Sequence, residues 1–264
     1  MQVPDYGILM NKHNIKSVIG GSDIALDPQS MSIQSNRRGD IRWQGKAHNA
    51  MFQFINEYIT NWPKLHQLFS EITASYVQEK ESTTAQNAHA EDYAKKVLNN
   101  EPVDNEKMYA LSSEKSGIIN GRQIAAGTIF VVLNTMFQEL KKDLEIDGDK
   151  FGKSGPLFQQ QTFGKVVWAA SNNFRHAEEW RAQWVADKSF KDQQLQSVTV
   201  LAPVLGFEQK DYRFLSCNVC PETLAVLSNG NFEILEQHLF SFANALADGV
   251  ENIKTHGIVR AGVT

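Results

Sequence analysis

A cluster of asparagine, arginine, histidine and glutamate side chains is the part of this sequence whose residue types could do chemistry. The cluster lies in NNFRHAEEW, residues 172–180, inside the predicted helix Phe158–Val185. An arginine in such a set can stabilise phosphate charge, a histidine or glutamate can move a proton, and an asparagine can orient the reacting group. A phosphodiester is therefore the kind of substrate that this cluster would suit.

Each residue of the cluster has a role under this hypothesis. Arg175 would bind phosphate, His176 would act as the acid or base, and Asn173 would orient the reacting group. Glu179 would hold Arg175, because residues four apart are neighbours on a helix. The predicted catalytic residues are Asn173, Arg175, His176 and Glu179, and the predicted substrate-binding residues are Asn172, Glu178 and Trp180. The alternative is a structural network with an ordinary surface ion pair.

Asn173 is unusual because it lies on the apolar stripe of its own helix. The stripe has helical spacing and consists of Val166, Ala170, Asn173, Ala177, Trp180 and Trp184. On this pattern His176 and Trp180 share the face of Asn173, while Asn172, Arg175 and Glu179 form the neighbouring row. A buried amide must find hydrogen-bond partners or cost about 1–3 kcal/mol. The sequence leaves open whether that partner is a substrate or another part of the chain.

Two longer apolar patterns indicate the helices that would position this cluster. The first begins at Lys46 and carries Met51, Ile55, Tyr58, Trp62, Leu65, Phe69, Ile72 and Tyr76 at heptad-like spacing. Pro63 lies within it, and we expect one kinked helix, with Asn61 capping its second half, rather than two unrelated helices.

Residues 77–118 are polar and predict a connector with a short helix over 88–98. The second long helix is predicted over Arg122–Glu145, with a stripe of Ala126, Ile129, Leu133, Phe137, Leu140 and Leu144.

The remaining segments favour an all-α protein. Helices are predicted over Asp192–Gly206, Pro221–Leu227 and Phe232–Val250, and residues 46–255 show no strand alternation. Residues 1–45 have no sustained period and predict an irregular N-terminal arm, packed on the helical body, that could hold a short strand or hairpin. We therefore predict a helical bundle built on long antiparallel helices, with residues 46–264 as a single helical domain.

Composition narrows the classes of function. The chain has 264 residues, 42% hydrophobic residues and a net charge of -4, so any contact with nucleic acid should be local. It has no apolar run long enough to span a membrane and no signal-peptide pattern, and we expect a cytoplasmic protein without a membrane partner.

Cys217 and Cys220 form a CxxC without a second pair, and we expect core cysteines rather than a redox or zinc site. The histidine spacings and the lack of a glycine-rich phosphate loop predict no metal and no cofactor.

A helical hairpin whose second long helix carries an Asn-x-x-His or Arg-His cluster resembles the HEPN domains of prokaryotic nucleotide-binding, toxin and phage-defence systems. The resemblance covers residues 46–185. It implies RNA as the substrate, a metal-independent endoribonuclease or a catalytically reduced relative, and a homodimer formed through the long helices. In that family the arginine and histidine are four to six residues apart, whereas Arg175 immediately precedes His176.

The sequence contains another arginine–histidine pair, and it also allows a competing class of function. Arg42 and His48 match the HEPN spacing, but Gly45 lies between them at the start of a helix, and we regard that match as coincidental. The competing class of function is a non-enzymatic helical module that binds a protein partner, such as an antitoxin or a regulatory subunit. Under that hypothesis the polar cluster is structural.

Overall fold

Helices account for nearly all regular structure in the computed structural model, which confirms the all-α prediction. The structure describes residues 2–15, 27, 29–35, 39, 41, 45–185, 192–208 and 217–255, apart from the side chains of 149–150, 183–185, 192–193 and 251–255. Its elements are α1 (Tyr6–Lys12), α2 (Lys46–Leu98), α3 (Asn105–Leu144), α4 (Gly148–Phe151), β1 (Leu157–Phe158), β2 (Gln161–Thr162), α5 (Phe163–Val185), α6 (Asp192–Val204), α7 (Cys220–Ser228) and α8 (Phe232–Thr255).

The two longest helices, α2 and α3, form an antiparallel hairpin. Lys46 at the start of α2 is paired with Glu145 just after α3, and the turn between the helices is at the opposite end. Helices α5, α7 and α8 pack around the half of the hairpin that contains its open end. Phe137 of α3 lies inside this body, with its ring 4.6 Å from that of Phe242 and 6.3 Å from that of Phe54, measured between centroids.

The apolar stripes predicted from the sequence form the walls of this core. Each predicted stripe residue of α2 from Met51 to Ile72 is buried, and so is each predicted stripe residue of α3. Tyr76, the last residue of the predicted α2 stripe, is exposed and marks the limit of the core. Helix α2 continues through Pro63, so the prediction of one helix rather than two is confirmed, and Asn61 is an interior residue of that helix rather than a cap.

The prediction of a connector over residues 77–118 is wrong, except that its short helix over 88–98 is present as the last part of α2. Helix α2 continues to Leu98 and α3 begins at Asn105, so only a short turn separates the two helices. The segment is rich in alanine, glutamate, glutamine and lysine, which favour helix even without an apolar stripe. Polar contacts replace apolar packing: the Gln86 side chain donates to the Leu111 carbonyl oxygen at 3.0 Å. Asp104 then caps α3 by accepting the Lys107 backbone N–H at 2.9 Å.

The N-terminal arm contains a helix that the sequence pattern did not reveal. Asp5 caps α1, and its carboxylate accepts the backbone N–H of Ile8 at 2.8 Å. Leu9 and Ile15 are fully buried, so α1 and Ile15 pack on the helical body, whereas the described residues 29–35 are mostly exposed. With only seven residues, α1 is too short to show a hydrophobic period, and its capping aspartate was the available signal.

Helix α3 is the one described helix with the length and composition of a membrane span. Most of its apolar residues from Ala125 to Leu144 belong to the buried core of the bundle, although Val131 and Val132 are only half-buried. A core helix acquires such a composition because it is surrounded by other helices.

Candidate functional site

Helix α5, which carries the predicted site, begins later than the sequence pattern suggested. The predicted start at Phe158 is wrong, because residues 157–162 form a small β-hairpin before the helix begins at Phe163. Gln159 and Gln160 make the turn of that hairpin with φ angles of 48° and 66°. Further along, the ring of Phe174 lies so close to Gly127 of α3 that a Cβ there would be 2.0 Å from it. The missing side chain at Gly127 therefore allows the close approach of α3 and α5.

Asn173 forms a buried hydrogen-bonded clamp between α5 and the segment before α7. Its side-chain Nδ2 donates to the Cys217 carbonyl oxygen at 3.0 Å, and its Oδ1 accepts the Val219 backbone N–H at 2.9 Å. The side chain is completely buried. Without the amide, the two backbone groups would lose their partner, at a cost on the order of 1–3 kcal/mol for each group left unsatisfied. The described contacts of Asn173 are thus structural.

Two other predicted site residues also face the protein interior. Trp180 is 1% exposed, and its enclosed ring offers no face on which a substrate could stack. Asn172 is half-buried, and its Nδ2 donates to the Ser197 hydroxyl of α6 at 3.3 Å. These contacts join α5 to its neighbours in the bundle.

The remaining four predicted site residues, Arg175, His176, Glu178 and Glu179, are exposed on the outer surface of α5. Glu179 contacts His176, with 3.3 Å between Oε1 and Nδ1, rather than the expected Arg175. Glu178 lies 3.5 Å from Arg181. Among the residues that the structure describes, no carboxylate is paired with Arg175. The structure therefore divides the predicted cluster into an inward structural set and an outward charged set.

The CxxC cysteines are in different environments. Cys220 is fully buried, its thiol donates to the Ala170 carbonyl oxygen at 3.4 Å, and burial raises its thiol pKa. Cys217 is exposed, so the expectation of two core cysteines holds only for Cys220. Within the described part of the chain, no three histidine, cysteine or acidic side chains are grouped as metal ligands.

Sequence reasoning missed a second buried polar centre, at Glu236 of α8. This carboxylate is 4% exposed and accepts hydrogen bonds from Lys12 at 2.6 Å and from the Tyr58 hydroxyl, while His13 Nε2 lies 3.0 Å away. Burial alone would raise the Glu236 pKa, but the contacts with His13, Lys12 and Tyr58 outweigh burial and hold the pKa at about 2. Glu236 thus attaches the N-terminal arm to α2 and α8.

A sequence signal for Glu236 did exist. The residue follows Leu235 directly and precedes Leu239 by three positions on the apolar face of α8. The reasoning that identified Asn173, a polar residue on an apolar stripe, applies equally to this glutamate.

Comparison of the chain with models of protein families, with curated proteins and with solved structures gave no match. The HEPN resemblance therefore stays a prediction from the residues that suggested it.

Proposed function

We propose that this protein is a non-enzymatic helical module that binds a protein partner through the distal hairpin, defined as residues 76–121 of α2, α3 and their turn. One observation supports this most directly. The buried hydrophobic core has no member between Ile72 and Ala125, so the distal hairpin extends beyond the body. At about 1.5 Å per residue, its α2 part is about 35 Å long.

The contacts of the distal hairpin are internal. Each hydrogen bond and ion pair described for residues 77–121 is with another residue of α2, α3 or their turn. At its base, Arg122 lies 2.6 Å from Glu79, and its guanidinium is stacked 4.2 Å from the centroid of the Tyr76 ring. Because no described residue outside α2, α3 and their turn forms such a bond with it, we expect the surface of the distal hairpin to be available to a partner.

The chemistry of this surface suggests what would bind it. Leu98 is 82% exposed and Tyr109 is 76% exposed. The distal hairpin contains eight carboxylates and five lysines, which gives it a net charge of -3. We expect a partner surface with apolar side chains flanked by lysine or arginine, and binding that weakens with added salt. An acidic surface of this kind is poorly suited to nucleic acid.

Site-specific photo-crosslinking in the native cells tests this function. A photoreactive amino acid replaces Tyr109 in one variant and, as a matched control on the same helix, exposed Thr135 of the body in another. We expect one protein to be captured at position 109 and not at position 135. Failure of capture at 109, or the same captured proteins at both positions, would contradict the proposal.

RNA cleavage is the second candidate function, and the exposed, adjacent side chains of Arg175 and His176 support it. On this candidate the chain is a HEPN-like, metal-independent endoribonuclease, or a catalytically reduced relative, acting in bacterial defence or stress as a homodimer. His176 would transfer the proton and Arg175 would bind the phosphate, while Asn173 would contribute only structure.

A cleavage assay with purified protein in the presence of a metal chelator tests this candidate. His176→Ala should reduce RNA cleavage by about 10²–10⁴-fold, the usual contribution of a general acid or base. Arg175→Ala should also reduce cleavage, and Arg181→Ala, which removes another exposed arginine of α5, should not. If the wild-type protein cleaves no RNA, or if His176→Ala cleaves normally, the candidate is rejected.

A further inference from the structure

We propose that a cavity in the body of the protein binds a small aromatic phosphate monoester of about mononucleotide size. The cavity has a volume of about 920 Å³ and lies among the C-terminal part of α3, α4, β2, α5 and α6. Ligand sites in proteins commonly have volumes of about 300–1,000 Å³. The inference is independent of the proposed function, because the cavity is in the body and not in the distal hairpin.

The charge of the cavity favours an anion. Lys141 of α3 and Lys165 of α5 are part of its wall, and its described lining includes no aspartate or glutamate. Neither lysine has an ion-pair partner among the residues that the structure describes. Two ammonium groups on one concave wall, whose described lining has no carboxylate, create a positive potential. Either ammonium group can donate a hydrogen bond to a bound phosphate.

One glycine of the α4 segment, Gly152, leaves room for Lys165, and a second, Gly148, lies close to the end of Lys141. A Cβ on Gly152 would be 2.7 Å from Lys165 Cε, well inside van der Waals contact, and a Cβ on Gly148 would be 3.8 Å from Lys141 Nζ. The Lys165 side chain therefore lies directly against the backbone of Gly152. Any side chain at position 152 would force Lys165 to move.

The rest of the wall favours an aromatic group with polar edges. Trp168 is half-buried in the lining, and Leu195 and Val200 of α6 add apolar surface. An indole ring and aliphatic side chains suit the faces of a planar ring. Gln138 and Gln196 also line the cavity, and their amides can both donate and accept hydrogen bonds at the edge of such a ring.

Calorimetric titration of the full-length protein with AMP, GMP, CMP and UMP tests the inference. Inorganic phosphate and the four corresponding nucleosides are the partial probes, because each lacks one half of the proposed ligand. We expect at least one mononucleotide to bind, with phosphate and the corresponding nucleoside each at least about tenfold weaker. If none of the four binds, or if phosphate alone binds as tightly, the inference is wrong.

Variants locate the binding site. Lys141→Met and Lys165→Met should each weaken mononucleotide binding by about 10- to 100-fold, the value of a charged hydrogen bond. Lys142→Met is the matched control, because Lys142 follows Lys141 in the sequence but is paired with Glu139 and does not line the cavity. This variant should bind the mononucleotide as tightly as the wild-type protein does. Gly152→Ala should weaken binding by displacing Lys165. Circular dichroism checks that all variants are folded. If Lys142→Met then weakens mononucleotide binding as much as Lys141→Met does, the assignment of the site to this cavity is wrong.

Discussion

The proximal and distal halves of the α2–α3 hairpin are formed by the same two helices but are stabilised differently. In the proximal half, apolar residues such as Phe54 and Phe137 face each other and are enclosed by α5 and α8. In the distal half, Ser82, Gln86 and His89 lie along the line of contact between α2 and α3, which we call the distal seam. His89 Nε2 lies 3.2 Å from the Asp104 carbonyl oxygen. Helix continuity therefore does not require a continuous apolar core, but the stability contributed by each turn should differ greatly between the halves.

A matched pair of truncations in α3 measures this difference most directly. Phe137→Ala removes a fully buried ring and should lower the free energy of unfolding by about 3–5 kcal/mol. Leu111→Ala, on the half-buried distal seam, should cost less than about 1 kcal/mol. Urea titrations of the two variants provide the comparison. Similar losses would show that the distal seam is as important for stability as the core.

Acid should weaken the proximal half through Glu236. The Glu236 pKa is about 2 in the folded protein against an ordinary 4.5, so its contribution is complete above pH 4.5 and is lost as the pH falls toward 2. The total contribution is about 3 kcal/mol. The stability difference between wild type and Glu236→Gln should therefore narrow by about 2 kcal/mol from about pH 6 to about pH 3.

The control for this measurement is Glu233→Gln, an exposed glutamate on the same helix. Its stability difference from wild type should change little over that pH range. If the two variants respond to pH alike, the carboxylate of Glu236 does not have the stabilising role that its contacts indicate.

Removal of the distal hairpin should have the smallest effect on the body. In a variant that lacks residues 83–117 and has a short Gly-Ser turn in their place, the described contacts of α5 and α8 are all retained. We expect a change in the melting temperature of only a few degrees, on the scale of about 1 kcal/mol or less. Loss of cooperative unfolding in this variant would mean that the two halves are energetically coupled. The wild-type protein in the same buffer is the reference.

How much of this fold could be predicted depended on burial. The sequence pattern identified α3 from Ala126 to Leu144 correctly because each of those stripe residues enters the core. The same reasoning failed for residues 77–87, where the helix is mostly exposed and no apolar period exists to be recognised. In that segment the helix propensity of the residues was the remaining evidence for a helix, and the propensity of any single residue is weak evidence.

The site residues were predictable to different degrees for a similar reason. Because Asn173 lies on an apolar stripe, we predicted that its amide has hydrogen-bond partners, and this is confirmed. Only the fold could identify those partners as the backbone groups of Cys217 and Val219. The cavity lysines, Lys141 and Lys165, are separated by a turn and a β-hairpin, and nothing in their local sequence indicates that they line one wall. Tertiary packing alone brings such residues together.

The attachment of the N-terminal arm to Glu236 has a consequence for the order of folding. Lys12 and His13 reach a residue that is 224 and 223 positions later in the chain. A ribosome releases the N-terminus first, so these contacts cannot form until α8 has been synthesised. Bringing such distant segments together carries a large entropic cost. We therefore expect docking of the arm to be a late folding event, and a chain interrupted before α8 would leave Lys12 and His13 without this acceptor.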